Sequence, residues 1–221
     1  MKKKNKKRKI LKIIIAILIM GILLFLILNQ QIKNIYVINN SILSDQEIIE
    51  LAGIENYPKL FSISSRSIQN KIKISPYVEN VKVRKSLFGK IEIEVFEYDL
   101  LLKDGTDNKI YLSNLEKIPL DDKIVGIPTL INYAQENILK EFLEKLKTVD
   151  RDILSKISEI EYTPNEYDQD LFLFYMNDSN YVYITTTRLL NINKYDEVLV
   201  SLEGKKGILY LDSGNHFEIL E

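Results

Sequence analysis

The chain has 221 residues with no Cys, no Trp and one His, which excludes a disulfide framework, a thiol nucleophile, a Cys-based zinc site and any two-His metal pair. Its 30 Lys and Arg against 31 Asp and Glu read as an ordinary neutral protein, but that balance is a cancellation. Eight of the 30 basic residues, Lys2, Lys3, Lys4, Lys6, Lys7, Arg8, Lys9 and Lys12, fall in the first twelve positions, so the remaining 22 meet all 31 acids, of which the first is Asp45. Parts that differ this much in charge suit different surroundings.

Positions 13–28 run for sixteen residues without a polar side chain. At 1.5 Å per residue that is about 24 Å, and Ile10, Leu11 and a snorkelling Lys12 bring it near the thickness of a hydrocarbon core. A buried helix of a soluble protein would carry a polar face, and a signal peptide would be followed by small residues. Here Asn29, Gln30, Gln31, Ile32 and Lys33 follow, so an uncleaved anchor is expected. The positive-inside rule places 1–12 in the cytoplasm and the acidic remainder outside it. Attraction to the membrane surface suffices as a role for the basic tail, and no nucleic-acid partner is expected.

Beyond the anchor, 32–39 is rich in β-branched and aromatic residues and ends in Asn39 and Asn40, the signature of a strand and turn. Ser44 and Glu47 have capping-box spacing ahead of Ile48, Ile49, Leu51 and Ala52, predicting a short helix ended by Gly53. A second helix is expected over 65–73, with Ile68 and Ile72 on one face, stopping before Pro76. Strands follow at 77–84 and 91–97. In the latter, Ile91, Ile93 and Val95 alternate with Glu92, Glu94 and Phe96. Residues 86–89 form the turn between them.

The next stretch, 98–113, reads as extended chain interrupted by a turn at 103–108. Residues 127–130 read as a short edge element because Pro128 cannot donate into a sheet interior. Ile138, Leu139, Phe142, Leu143 and Leu146 then mark an amphipathic helix, with a shorter helical segment near 150–156. Strands are expected at 157–163, 171–176 and 181–185, a helical stretch at 188–202, and a terminal hairpin of 207–212 and 216–220 around Ser213, Gly214 and Asn215.

A basic tail, one span and a β-α-α-β-β module resemble a POTRA domain behind a signal anchor. Segments 35–44, 75–85 and 91–97 resemble those by which FtsQ/DivIB cell-division proteins are recognised. The family commonly has a Pro in the turn after the second strand, where this chain has Ser86, Leu87, Phe88 and Gly89, and a Gly serves that turn equally well. In the second half, 127–130, 158–160, Lys194, Tyr195 and 208–214 look like the landmarks of the family's β domain. The resemblance implies an α+β fold: a single transmembrane helix, a POTRA module, then a mixed β domain with an open twisted antiparallel sheet and flanking helices. The expected divisions are a tail at 1–12, an anchor at 13–28, a POTRA domain at 32–98 and a β domain at 99–221.

Little in the chain carries chemistry. His216 has no Cys or second His to work with, and a solvated or packed strand residue is the simpler reading. Asp104 with Asp107, and Asp121 with Asp122, read as turn residues before they read as acid–base or cation sites. The 204–207 stretch is too short for a phosphate loop, and Tyr162, Tyr167, Tyr175, Tyr181 and Tyr183 suggest cross-strand packing before sugar stacking. No catalytic residue, cofactor, metal or small-molecule substrate is expected. Binding remains, and an open antiparallel sheet offers an unpaired edge to a partner strand. The resemblance implies a non-enzymatic scaffold at the division septum. Its partners would be FtsB/DivIC-type and FtsL-type single-span proteins, with the septal peptidoglycan synthase in the same assembly. The implied contact residues are Tyr210, Leu211, Asp212, Ser213, Phe217 and Ile219. The alternative is a POTRA-bearing chaperone or secretion component that binds extended polypeptide.

Overall fold

A computed structural model of the chain describes residues 2–121, 123–202 and 204–220; Asp122, half of one acidic pair, lies outside the described residues. Residues Lys2–Leu28 form one helix, α1, and its Lys9–Leu28 stretch is long and apolar enough to cross a membrane and is nowhere buried by protein. An apolar surface on every side of a helix is disfavoured in water and satisfied by lipid. The chain divides into two compact units, Met1–Glu97 and Tyr98–Glu221.

In the first unit, β1 (Asn34–Ile38), α2 (Asp45–Ala52), α3 (Ser65–Ile72), β2 (Val78–Lys85) and β3 (Lys90–Glu97) follow the order read from the sequence. The capping box forms as expected: Glu47 N–H donates to Ser44 Oγ at 3.3 Å and the Glu47 carboxylate accepts from Ser44 N at 2.8 Å. Gly53 closes α2 with φ of 67°, a conformation that favours Gly. The strands order β1-β3-β2, with β1 parallel and β2 antiparallel to β3. Ile91, Ile93 and Val95 of β3 bury completely against Ile48, Ala52, Ile68 and Ile72 of the two helices. Each large apolar side chain so buried contributes about 1.5–3 kcal/mol before chain entropy is counted. At the end of β3, the Glu97 carboxylate accepts from the backbone N–H groups of Ser41, Ile42 and Leu43 at 2.8–2.9 Å, which fixes the loop leading into α2.

The second unit is built on a nine-stranded sheet. Its strands are β4 (Leu100–Asp104), β5 (Lys109–Leu112), β6 (Lys117–Pro119), β7 (Thr129–Leu130), β8 (Ile157–Tyr162), β9 (Leu171–Met176), β10 (Tyr181–Thr185), β11 (Gly207–Tyr210) and β12 (His216–Ile219). They order β12-β11-β10-β9-β8-β7-β4-β5-β6, so β12 and β6 are the two edges. Most neighbours are antiparallel, while β4 with β7, β7 with β8, and β10 with β11 are parallel. Parallel joins need crossovers. Helices α4 (Glu136–Leu146) and α5 (Arg151–Leu154) supply one, and a 3-10 segment (Thr186–Lys194) followed by α6 (Tyr195–Ser201) supplies another.

One expectation is overturned. Residues 127–130 are not at an edge, because β7 sits inside the sheet between β4 and β8. Pro128 stands just before the two pairing residues and contributes only its carbonyl, which accepts from Lys103 N at 2.8 Å, so its missing N–H is never called on. On the helix-covered face, Phe142 of α4 stacks on Phe172 at 4.0 Å and meets Phe174 edge-on at 6.1 Å. Val182, Ile184, Leu209 and Leu211 extend that core toward the C-terminal strands.

Candidate functional site: the C-terminal sheet edge

The hairpin that ends the chain is held by a close backbone approach. Gly207, opposite Ile219, is buried, and a Cβ there would collide with the carbonyl of Glu218 and lie 2.7 Å from the Phe217 ring. Gly207 N also donates to the buried Asn180 side chain at 2.9 Å, and Asn180 in turn hydrogen-bonds Tyr195 Oη. Burial comes first, and then the Asp178 carboxylate, in raising the pKa of the Tyr195 phenol well above the usual value.

The register decides which backbone groups are free. Leu220 N donates to Lys206 O at 3.0 Å, and β12 pairs with β11 through Gly207↔Ile219, Ile208↔Glu218, Leu209↔Phe217 and Tyr210↔His216. Antiparallel ladders alternate, so His216 and Glu218 exchange bonds with β11 while the N–H and C=O of Phe217 and Ile219 point outward. The Ile219 side chain is exposed and Phe217 packs partly on the core.

The six residues implied by the resemblance therefore occupy different positions. Phe217 and Ile219 line the edge. Tyr210 is the last residue of β11 and lies between β10 and β12. Leu211 is a core residue, 4% exposed, whose N–H donates to Tyr183 O at 2.8 Å. Ser213 is an exposed turn residue. Asp212 is half-buried, and its Oδ1 is shielded from solvent with no hydrogen-bond partner among the described residues.

On the face away from the helices, rings run toward this edge: Tyr183 stacks on Tyr210 at 5.5 Å, Tyr210 stacks on His216 at 4.4 Å, and Tyr175 meets Tyr181 edge-on at 5.5 Å. Of the other tyrosines in the second half of the chain, Tyr162 faces the core and Tyr167 is exposed in a loop. Tyr175 Oη donates to Glu161 at 2.6 Å, and that bond, with burial second, pushes its pKa up to about 12. Burial and a 3.0 Å bond to Glu218 raise Tyr210. Both phenols therefore sit in the ring-stacked rows as hydrogen-bond donors to carboxylates. Neither the close approach at Gly207 nor the stacking of His216 is evident in the sequence; the paired glycines Gly204 and Gly207 are the only trace of the first.

Comparison with known proteins finds likenesses to part and to the whole of the chain. A POTRA domain, FtsQ-type, family model matches residues 30–98, the span of the β-α-α-β-β module. A cell division protein DivIB of Bacillus cytotoxicus is 28% identical over 235 residues, covering 100% of this chain and 91% of that protein. The likeness to DivIB cell-division proteins thus runs along the whole chain. A DivIB of Bacillus subtilis strain 168 is 26% identical over 229 residues, with 98% of this chain and 86% of that protein covered. A solved major extracytoplasmic domain of DivIB from Geobacillus stearothermophilus gives 21% identity and a TM-score of 0.40, covering 49% of this chain and 96% of that one. With an N-terminal apolar helix ahead of the POTRA domain, the chain fits a single-pass membrane protein of the division apparatus.

Proposed function

We propose that the chain is a non-catalytic, bitopic scaffold of the divisome. Its tail (1–12) lies in the cytoplasm, its anchor (13–28) spans the membrane, and its POTRA (32–98) and β (99–221) domains work outside, at the septum. The edge of β12 captures an extended segment of FtsB/DivIC-type and FtsL-type single-span proteins, and the assembly so formed helps control septal peptidoglycan synthesis. The observation that carries this reading is the outward-facing amide and carbonyl pair of Phe217 and Ile219 on an uncovered strand. Strand addition takes its affinity from such groups. A shared membrane raises the effective concentration of single-span partners without further contacts.

The test is Ile219→Pro. It deletes one outward N–H, leaves the ladder to β11 intact, and removes only an exposed side chain. Leu211→Pro would instead break the bond to Tyr183 and open the core. The Ile219→Pro chain should fold with stability within about 1 kcal/mol of the parent and bind its single-span partners at least roughly ten-fold more weakly. Cells carrying it should filament. Unchanged partner affinity in the full-length variant would remove β12 as the docking edge.

A further inference from the structure

The first unit carries an apolar tip that its own core does not use. Leu87 and Phe88, in the turn between β2 and β3, are 59% and 81% exposed. Two further aromatic side chains, Tyr57 and Phe61, are exposed on the segment ahead of α3. Both segments are bonded to the residues that leave α1. Gly89 O accepts from Lys33 N at 2.8 Å and from Asn34 N at 3.3 Å, while Leu60 N donates to Gln30 O at 2.8 Å and Ile32 N to Pro58 O at 3.0 Å. Gly89 allows this contact: its φ is +80°, and a Cβ would lie 2.7 Å from Gln31 O.

The helix ends at Leu28, so Gln31 is at most about 10 Å of chain from the last helical residue. That distance is comparable to the thickness of one headgroup layer. Lys33 and Lys59, on the same two segments, are exposed. Lys85 is not part of this set, because its ammonium is turned inward onto the carbonyls of Leu60 and Ile63, and burial holds its pKa below the usual lysine value.

We propose that this tip is a second membrane contact: Leu87, Phe88, Tyr57 and Phe61 sit in the interface of the leaflet from which the chain emerges, and Lys33 and Lys59 face anionic headgroups beside them. Aromatic and apolar side chains flanked by lysines are favoured at that depth. The contact orients the POTRA domain on the bilayer instead of leaving it to swing on Asn29 and Gln30. The proposal rests on the reading of α1 as a span.

The chain has no Trp, so single tryptophans report position without background. Phe88→Trp, Phe25→Trp within α1 and Tyr167→Trp in the exposed loop of the second unit are each made in the full-length chain. Each is reconstituted into vesicles of phosphatidylcholine and phosphatidylglycerol, with or without acyl-chain-brominated lipid. Bromine should quench Phe25→Trp strongly, lower Phe88→Trp emission by roughly two-fold and leave Tyr167→Trp unchanged. The quenching of Phe88→Trp should deepen as phosphatidylglycerol replaces phosphatidylcholine; a flat response overturns the role of the lysines. If Phe25→Trp is quenched and Phe88→Trp behaves like Tyr167→Trp, the membrane contact is wrong and the tip faces water or a protein partner. An unquenched Phe25→Trp removes the span and this proposal with it.

Discussion

The two edges of the nine-stranded sheet solve the same problem in opposite ways. Both β6 and β12 are short and pair antiparallel to one neighbour. On β6, Leu120 N donates to Asn108 O and Leu112 N to Glu116 O, so Ile118 bonds inward and the outward positions are Lys117 and Pro119. One outward residue has no N–H to give, and the other is a charged residue of the kind that guards natural edges. On β12 the outward positions are Phe217 and Ile219, with every donor present. An edge protected at one end and open at the other indicates that openness at β12 is specific to that end and not general to the fold.

The β6 edge is also tied down by electrostatics. Asp104, with its side chain 5% exposed, accepts from Lys117 Nζ at 3.0 Å and from Thr106 Oγ1 at 2.6 Å. Lys117 further bridges Asp107 at 3.0 Å and sits over the Tyr111 ring at 4.6 Å. Burial alone would raise Asp104 and lower Lys117, but these bonds outweigh it and hold the carboxyl below its ordinary value and the ammonium above. The carboxylate pair that could be drawn as a cation site holds a lysine.

The largest effect is expected from Gly207→Val. The new side chain collides with Glu218 and Phe217, forcing β12 off β11 at a cost of about 3–5 kcal/mol. Hydrogen exchange at the amides of His216, Glu218 and Leu220 should approach that of free chain, and partner capture should be lost with the strand. Protection equal to the parent would show that the β11–β12 register is wrong. Next is Asp104→Ala at the closed edge, which leaves Lys117 with Asp107 alone and removes the acceptor of the Thr106 N–H and O–H, at about 2 kcal/mol. A carboxyl whose folded pKa is depressed contributes stability that is complete above the unfolded value, 3.8, and is lost as pH falls through the folded one. The parent should therefore lose stability below about pH 4 that the variant has already lost, so the two melting curves converge in acid. Partner affinity should not change, since β12 is untouched; an altered affinity would mean that the edges are coupled.

How far this contrast can be read from sequence differs by feature. The elements of the first unit are legible because local chemistry specifies them: Ser44 with Glu47 can do little else, and the alternation of Ile91, Ile93 and Val95 has one buried face. In the second unit the strands at Leu171–Met176 and Tyr181–Thr185 are equally clear, but their neighbours are not, because strand order depends on crossovers and not on any residue in the strand. β6 leaves no trace in the sequence. Three residues ending in Pro119, with Ile118 the only buried one, carry no period to detect. The candidate edge is partly legible: a terminal hairpin is expected, but only register separates the outward Ile219 from the buried Leu211.

The smallest effect is expected from Pro119→Thr, and it is the most direct test of whether a missing donor keeps β6 closed. Thr restores the outward N–H and suits an extended backbone. Position 119 is exposed and does not bond inward, so folding stability should change by less than about 0.5 kcal/mol. Lys117 still stands two positions away, neutralised by Asp104 and Asp107, so the strand now presents two outward donors in an edge of three residues. Such an edge is too short for tight pairing, and the full-length variant should show only weak, concentration-dependent self-association by sedimentation in detergent. Adding Lys117→Thr should strengthen it. If the double variant stays as monomeric as the parent, strand length and not Pro119 closes this edge, and β12, only one residue longer, would then need a partner that contacts side chains such as Tyr210 and Ile219 as well as the backbone.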